Sequence, residues 1–274
     1  MPLHMDAFIP ETLQNHFFAD LLQSGIQKAT AVISSRDKSF VVLRTGITDQ
    51  FTGQEIGDIN YTLYNNDDAK CMEVYGLDIT LRGSDPASIK FLTRLPGSDD
   101  VTEYYEAECY LENQVFELET VNRFAVDETL IGSVQTVHFS VFPYKVDVFD
   151  DITAFNAWAG FAEGVRMGDT EIFVDGYSET FMMPGGTANP AKKEDEHFTY
   201  LLGKVLSFAD VEVSFGEMPI QFIIAQVRTG LGVVPVAMHR EQFDLTHLHE
   251  DSILAMFADI SADLSTEKDW VLLQ

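Results

Sequence analysis

Apolar and polar residues alternate along much of the chain with the period of a β-strand, and the clearest signals lie between Leu201 and Phe243. Residues 201–207 form a short apolar run. Val211, Val213 and Phe215 then alternate with Glu212 and Ser214. Gly216-Glu217-Met218-Pro219 supplies a turn, because Gly tolerates positive φ and Pro holds its own φ. Residues 220–227, rich in Ile, Val and Phe, read as a buried strand. Thr229-Gly230-Leu231-Gly232 is a second turn, and 233–238 a further strand, with Pro235 expected at an edge or bulge. Connections this short require antiparallel neighbours, so the segment predicts a curled meander.

The first half carries the same pattern. Residues 29–34 and 39–44 flank the polar turn Ser35-Arg36-Asp37-Lys38 and read as a hairpin. Strands follow at 56–64 and 72–82, the latter closed by Gly83-Ser84-Asp85-Pro86. Residues 89–95 fit a strand or a short helix. From 103 to 112, Tyr105, Ala107, Cys109 and Leu111 occupy one face and Glu106, Glu108, Tyr110 and Glu112 the other. Residues 115–121 are expected to pair with that strand. Residues 134–148 form a long extended run interrupted at Pro143, with Val137, Phe139 and Val141 opposing Thr136, His138 and Ser140.

Helical spacing appears in three places. Leu13, Phe17, Phe18, Leu21 and Leu22 predict a helix over 10–24. Phe155, Trp158 and Phe161 predict one over 152–163, ended by Gly164. Ile253, Met256, Phe257, Ile260 and Leu264 predict a last one over 252–264. Between the second and third, residues 171–174 read as a strand with 177–183 as its hairpin partner, and 184–196 as the one long loop. The apolar tail Trp270-Val271-Leu272-Leu273 is expected to dock.

Together these elements predict a β-rich α+β fold: antiparallel sheets with a few flanking helices, the second half a small curled β-meander or barrel-like unit. The 274 residues and the pair Asp150-Asp151 suggest two units. One is a β-rich α+β unit with a leading helix over 1–150. The other, 151–274, is a helix followed by the meander and a C-terminal helix.

Charge changes the picture of function. Against 44 acidic residues stand 17 basic ones, a net charge of −27. Nucleic-acid binding through phosphates needs a basic footprint, and anionic membranes repel such a chain. A solvated, self-repelling surface follows, with a basic protein as the partner it would favour. The first residues lack a basic segment followed by an apolar one, so no signal peptide is expected, and no apolar stretch is long enough for a membrane span. Cys71 and Cys109 give neither a disulfide framework nor a zinc-finger spacing, which points to a reducing, cytoplasmic setting.

Candidate chemistry is sparse. Gly230-x-Gly232 lacks the third glycine and following helix of a dinucleotide loop. His247 and His249, at the start of the expected helix, would diverge by about 200° on it, and Ile253 stands where a zincin motif needs histidine. A loop-borne site with His239 and Asp244 is the remaining metal geometry. The pairs Asp67-Asp68, Asp99-Asp100 and Asp150-Asp151 fit no calcium-loop spacing and read as turn carboxylates. Cys109, set among Glu106, Glu108 and Glu112, is disfavoured as a thiolate, and His138 reads as a structural strand residue. No nucleophile elbow or Walker loop is present.

No metal, cofactor or catalytic residue is therefore assigned. The sequence points to a non-enzymatic binding or accessory protein that uses a sheet face, an edge strand or the 184–196 loop. A metal-dependent or carboxylate-based hydrolase is the alternative.

Overall fold

The structure is a computed structural model, and it describes residues 25–35, 39–66, 70–98, 103–110, 113–123, 129–161, 165–167, 170–172, 176–185, 197–215, 218–266 and 268–273. The expected helix over 10–24, nearly all of the 184–196 loop and the turn at 216–217 lie outside these residues.

The first strands are β1 (Ala31–Ser34), β2 (Phe40–Thr48), β3 (Glu55–Asn66) and β4 (Cys71–Leu81). With β16 (Val271–Leu272) they form an antiparallel five-stranded sheet in the order β16-β1-β2-β3-β4. The apolar tail docks as expected. Leu272 pairs with Ala31, and Trp270 packs with Ala31, Ile33 and Val42.

The remaining strands of the first half are β5 (Ala87–Arg94), β6 (Glu103–Cys109), β7 (Gln114–Val121) and β8 (Val134–Phe149). Residues 89–95, open between strand and helix, belong to a strand. After β8 comes a helix of about two turns, α1 (Ile152–Trp158). Asp151 caps it by accepting a hydrogen bond from the Ala154 amide at 2.8 Å. The helix stops earlier than expected because Gly160, at φ +88°, closes a Schellman motif: its amide donates to Ala157 O and the Phe161 amide to Asn156 O.

The second half continues with β9 (Val165–Met167), β10 (Thr170–Ile172) and β11 (Met182–Pro184). The partner of β10 is β9, not residues 177–183, and β11 pairs instead with β12. The meander is β12 (Thr199–Phe215), β13 (Met218–Thr229) and β14 (Gly232–Met238). Residues 201–207 and 211–215 belong to one 17-residue strand with an irregularity between Val205 and Ser207. Gly203 sits where a Cβ would meet Val227 Cγ1 at 2.4 Å, so the close approach of β13 requires glycine.

The expected C-terminal helix is a strand, β15 (Ile253–Asp263), at the centre of the fold. Its even residues, Leu254, Met256, Ala258, Ile260 and Ala262, enter the main core. Among the odd ones, Ile253 and Ala255 pack under α1. A strand buried on both faces loses the apolar-polar alternation that marks a half-exposed one, and its apolar residues then fall at helical spacing by chance.

Nine strands share the second sheet, in the order β11-β12-β13-β14-β8-β15-β7-β6-β5, with further pairings β12–β15 and β8–β5. β15 lies antiparallel to β8 along one edge. Along the other it pairs with β12 at its start and β7 at its end. The sheet therefore curls into two ring-like circuits that share β8 and β15. Neither is a true barrel: β14 meets β8 at a single register point, Val236 with Val141. That contact and β15–β7 are parallel, so the sheet is mixed rather than antiparallel throughout. Pro235, beside that single contact, occupies the edge-like position expected of it. Strands from both sides of Asp150 share this sheet.

A bulge governs β8. Phe257 faces Lys145, but the next residue, Ala258, faces Pro143, which leaves Tyr144 as the extra residue. Val137, Phe139 and Val141 face the core before it, and Val146 after it. The two sheets meet through Ile59, Tyr61 and Ile79 against Phe142, Val213 and Phe222. Hydrogen bonds tie the seam, from the Leu81 amide to Ser140 Oγ at 2.7 Å and from the Phe139 amide to Ser84 Oγ at 2.9 Å.

Candidate functional site

The outward face of β15 reaches two clefts of different chemistry. Phe257 opens onto an aromatic pocket beside α1, and Asp263, six residues on, onto a polar cleft at the seam between the sheets.

The aromatic pocket has a volume of about 610 Å³. α1 contributes Phe155 and Trp158, β12 contributes Tyr200, and Tyr177 and Met183 close the side. Register places Tyr200 opposite Phe257, with ring centroids 4.9 Å apart. Phe155 is buried and anchors α1, stacking edge-on against Phe149 at 5.2 Å. Trp158 lies 5.9 Å from Phe155 and is 63% exposed, an unusual state for so large an apolar ring. The sequence placed Trp158 with Phe155 on one side of the helix, but only Phe155 is taken into the core. Burial, then the charges of Tyr177 and Asp147, push the Tyr200 hydroxyl up to about 12, so it stays a neutral donor.

The polar cleft encloses about 440 Å³. Arg44 on β2, Asp58 on β3, Arg82 just beyond β4 and His138 on β8 line it with Asp263. The Arg44 guanidinium lies 4.3 Å above the centroid of the Trp270 ring, a cation–π contact. Arg82 bridges Glu55 at 2.7 Å and Asp58 at 3.3 Å. Asp263 Oδ1 accepts from Asn122 Nδ2 at 3.0 Å and from the Ser265 amide and hydroxyl at 2.9 and 2.7 Å. Burial raises the Asp58 carboxyl above the ordinary carboxylate range, with Arg82 and Arg44 only partly opposing it. Burial also raises Asp263, opposed by Asn122, Ser265 and Arg44. His138 Nδ1 lies 3.2 Å from the Ser84 carbonyl; a carbonyl can only accept, so Nδ1 carries the proton.

The residues singled out in the sequence for metal binding are dispersed. His247 and His249 lie in a loop, not at the start of a helix. Both approach Asp150 Oδ1, at 3.6 and 3.7 Å, with all three side chains well exposed. His239 is buried apart from them, 6.1 Å from the Phe222 ring, and Asp244 accepts hydrogen bonds from the Thr246 amide and hydroxyl. Among the described residues no group of three or more histidine, cysteine or acidic side chains is arranged to hold a metal ion. Cys109 is buried and donates to the Gly230 carbonyl, while Cys71 is exposed; both are free thiols. The pairs Asp67-Asp68 and Asp99-Asp100 lie outside the described residues. His138 lies on β8, with its ring against the Ser84 carbonyl, and lines the cleft. Arg44, Asp58, Arg82 and Asp263 were not marked by any motif.

Compared with known proteins, the chain matches no family model, no curated protein and no solved structure. Among the described residues no helix is long and apolar enough to cross a membrane.

Proposed function

We propose that this chain is a non-enzymatic binding protein that engages a basic protein partner, with the aromatic pocket taking one of the partner's lysine or arginine side chains. The observation that carries this reading is an exposed Trp158 at the mouth of a pocket of aromatic rings, on a chain of net charge −27. The faces of aromatic rings attract cations, at about 0.5–1 kcal/mol when exposed and about 2 when desolvated. The long-range acidic field steers a basic partner toward the surface, and the rings hold it at short range. The free thiols of Cys71 and Cys109 fit a reducing cytoplasmic setting.

The test is a titration with a lysine- and arginine-rich peptide, followed by isothermal calorimetry, which reads binding whether or not Trp158 is present. Saturable binding that weakens with salt, and that is lost in Trp158→Ala, is expected. Equal binding of a peptide with glutamine in place of its basic residues, or unchanged binding by Trp158→Ala, rejects the reading.

A further inference from the structure

We infer that the polar cleft between the two sheets binds a small neutral polyhydroxylated molecule, of the sugar or polyol class. This inference stands independently of the aromatic pocket.

The cleft is built on strands, which hold side chains more rigidly than loops do. Arg44, Asp58, His138 and Asp263 come from β2, β3, β8 and β15, and Thr80 and Thr136 add hydroxyls from β4 and β8. Its volume of about 440 Å³ falls in the range of small-molecule sites, about 300–1,000 Å³.

The charges inside select a neutral ligand. An anion meets Asp58 and Asp263, and a cation meets Arg44 and Arg82. Arg82 is already engaged by Glu55 and Asp58, so it does not present the uncompensated bidentate fork that selects a carboxylate or phosphate. What the cleft offers is both hydrogen-bonding roles in close alternation: guanidinium donors, carboxylate acceptors, and hydroxyls that serve as either. An alcohol is the functional group that donates and accepts from one atom. A molecule with several of them satisfies both sets at once. With Nδ1 directed at the Ser84 carbonyl, His138 leaves Nε2 for a further hydroxyl, which can donate or accept. Arg44, its guanidinium carbon 4.3 Å from the Trp270 ring centroid, forms one wall of the cleft. Asp58 and Asp263 are held above the ordinary carboxylate range by burial, and ligand hydroxyls would supply donors that favour their charged forms.

The experiment is NMR titration of the full chain, labelled with nitrogen-15, against glucose, inositol, glycine and inorganic phosphate. The expected result is saturable shifts of the Leu81, Ser84 and Phe139 amides with glucose or inositol and none with glycine or phosphate. His138→Ala and Thr136→Val change exposed strand residues and should keep the amide spectrum of the fold while weakening binding about tenfold each. Three results overturn the inference: no saturable shift with either polyol, tighter binding of glycine or phosphate than of both, or undiminished polyol binding by the two variants.

Discussion

Glu117 on β7 stands directly opposite Glu106 on β6 in the register of that antiparallel pair. Like charges in this relation destabilise a sheet. Burial, and then the Glu106 charge, push the Glu117 carboxyl from 4.5 up to about 7. Between these values the folded chain holds a proton that the unfolded chain releases. Stability contributed by this group is therefore present at low pH and lost as pH rises from about 4.5 to about 7. Glu117→Gln cannot ionise and should flatten that decline. Thermal melts of both proteins at intervals from about pH 5 to pH 8 read the effect. Parallel curves would show that the pair has no such role.

Ile260 is buried in the main core on β15, one of the two strands that both circuits share. Ile260→Ala should cost about 2–5 kcal/mol, the range for such truncations. Val271→Ala, on an exposed site of β16, should stay within about 0.5 kcal/mol. Urea unfolding measures both. Equal losses would mean that β15 is not central to stability.

A fragment of residues 152–274 lacks β5 to β8, and with them the strand along one whole edge of β15. It is expected to give a collapsed amide NMR spectrum, and to gain dispersion when co-expressed with residues 1–151. A well-dispersed spectrum from the fragment alone would establish that 151–274 is an independent unit.

The net charge of −27 should make the folded chain repel itself, with screening over about 8 Å at physiological ionic strength. Its melting temperature should rise from low to moderate sodium chloride. A flat or falling trend would remove the electrostatic motive for a basic partner.

The meander was legible because its strands follow one another locally and are bounded by glycine and proline. The pair of β6 and β7 was legible from strict alternation at Tyr105, Ala107 and Cys109. β15 was not, because Ile253, Leu254, Ala255, Met256 and Phe257 are apolar without interruption. A trace of period two was nonetheless present at Asp259, Ser261 and Asp263, which alternate with Ala258, Ile260 and Ala262. The polar cleft left no local mark. Arg44, Asp58, His138 and Asp263 span most of the chain, and the pairings of β2 with β3 and of β8 with β15, with the packing of the two sheets, bring them together. The aromatic pocket was half legible: Trp158 was found at helical spacing, but its exposure depends on where α1 ends.

The bulge at Tyr144 sets the parity of β8. Before it the odd-numbered residues Val137, Phe139 and Val141 face inward; after it the even-numbered Val146 does. If the two halves were paired without a bulge, one of them would be out of phase with β15. Were the first half the one displaced, His138 and Ser140 would turn into the apolar interior and Phe139 would face the polar cleft. Removing residue 144 restores a continuous alternation and leaves every other side chain of the strand on its present face. Adding a residue in the first half of the strand reverses the parity of everything before it. The bulge thus sets one odd residue aside, and in doing so keeps both halves of the strand on the faces that fill the core and line the cleft.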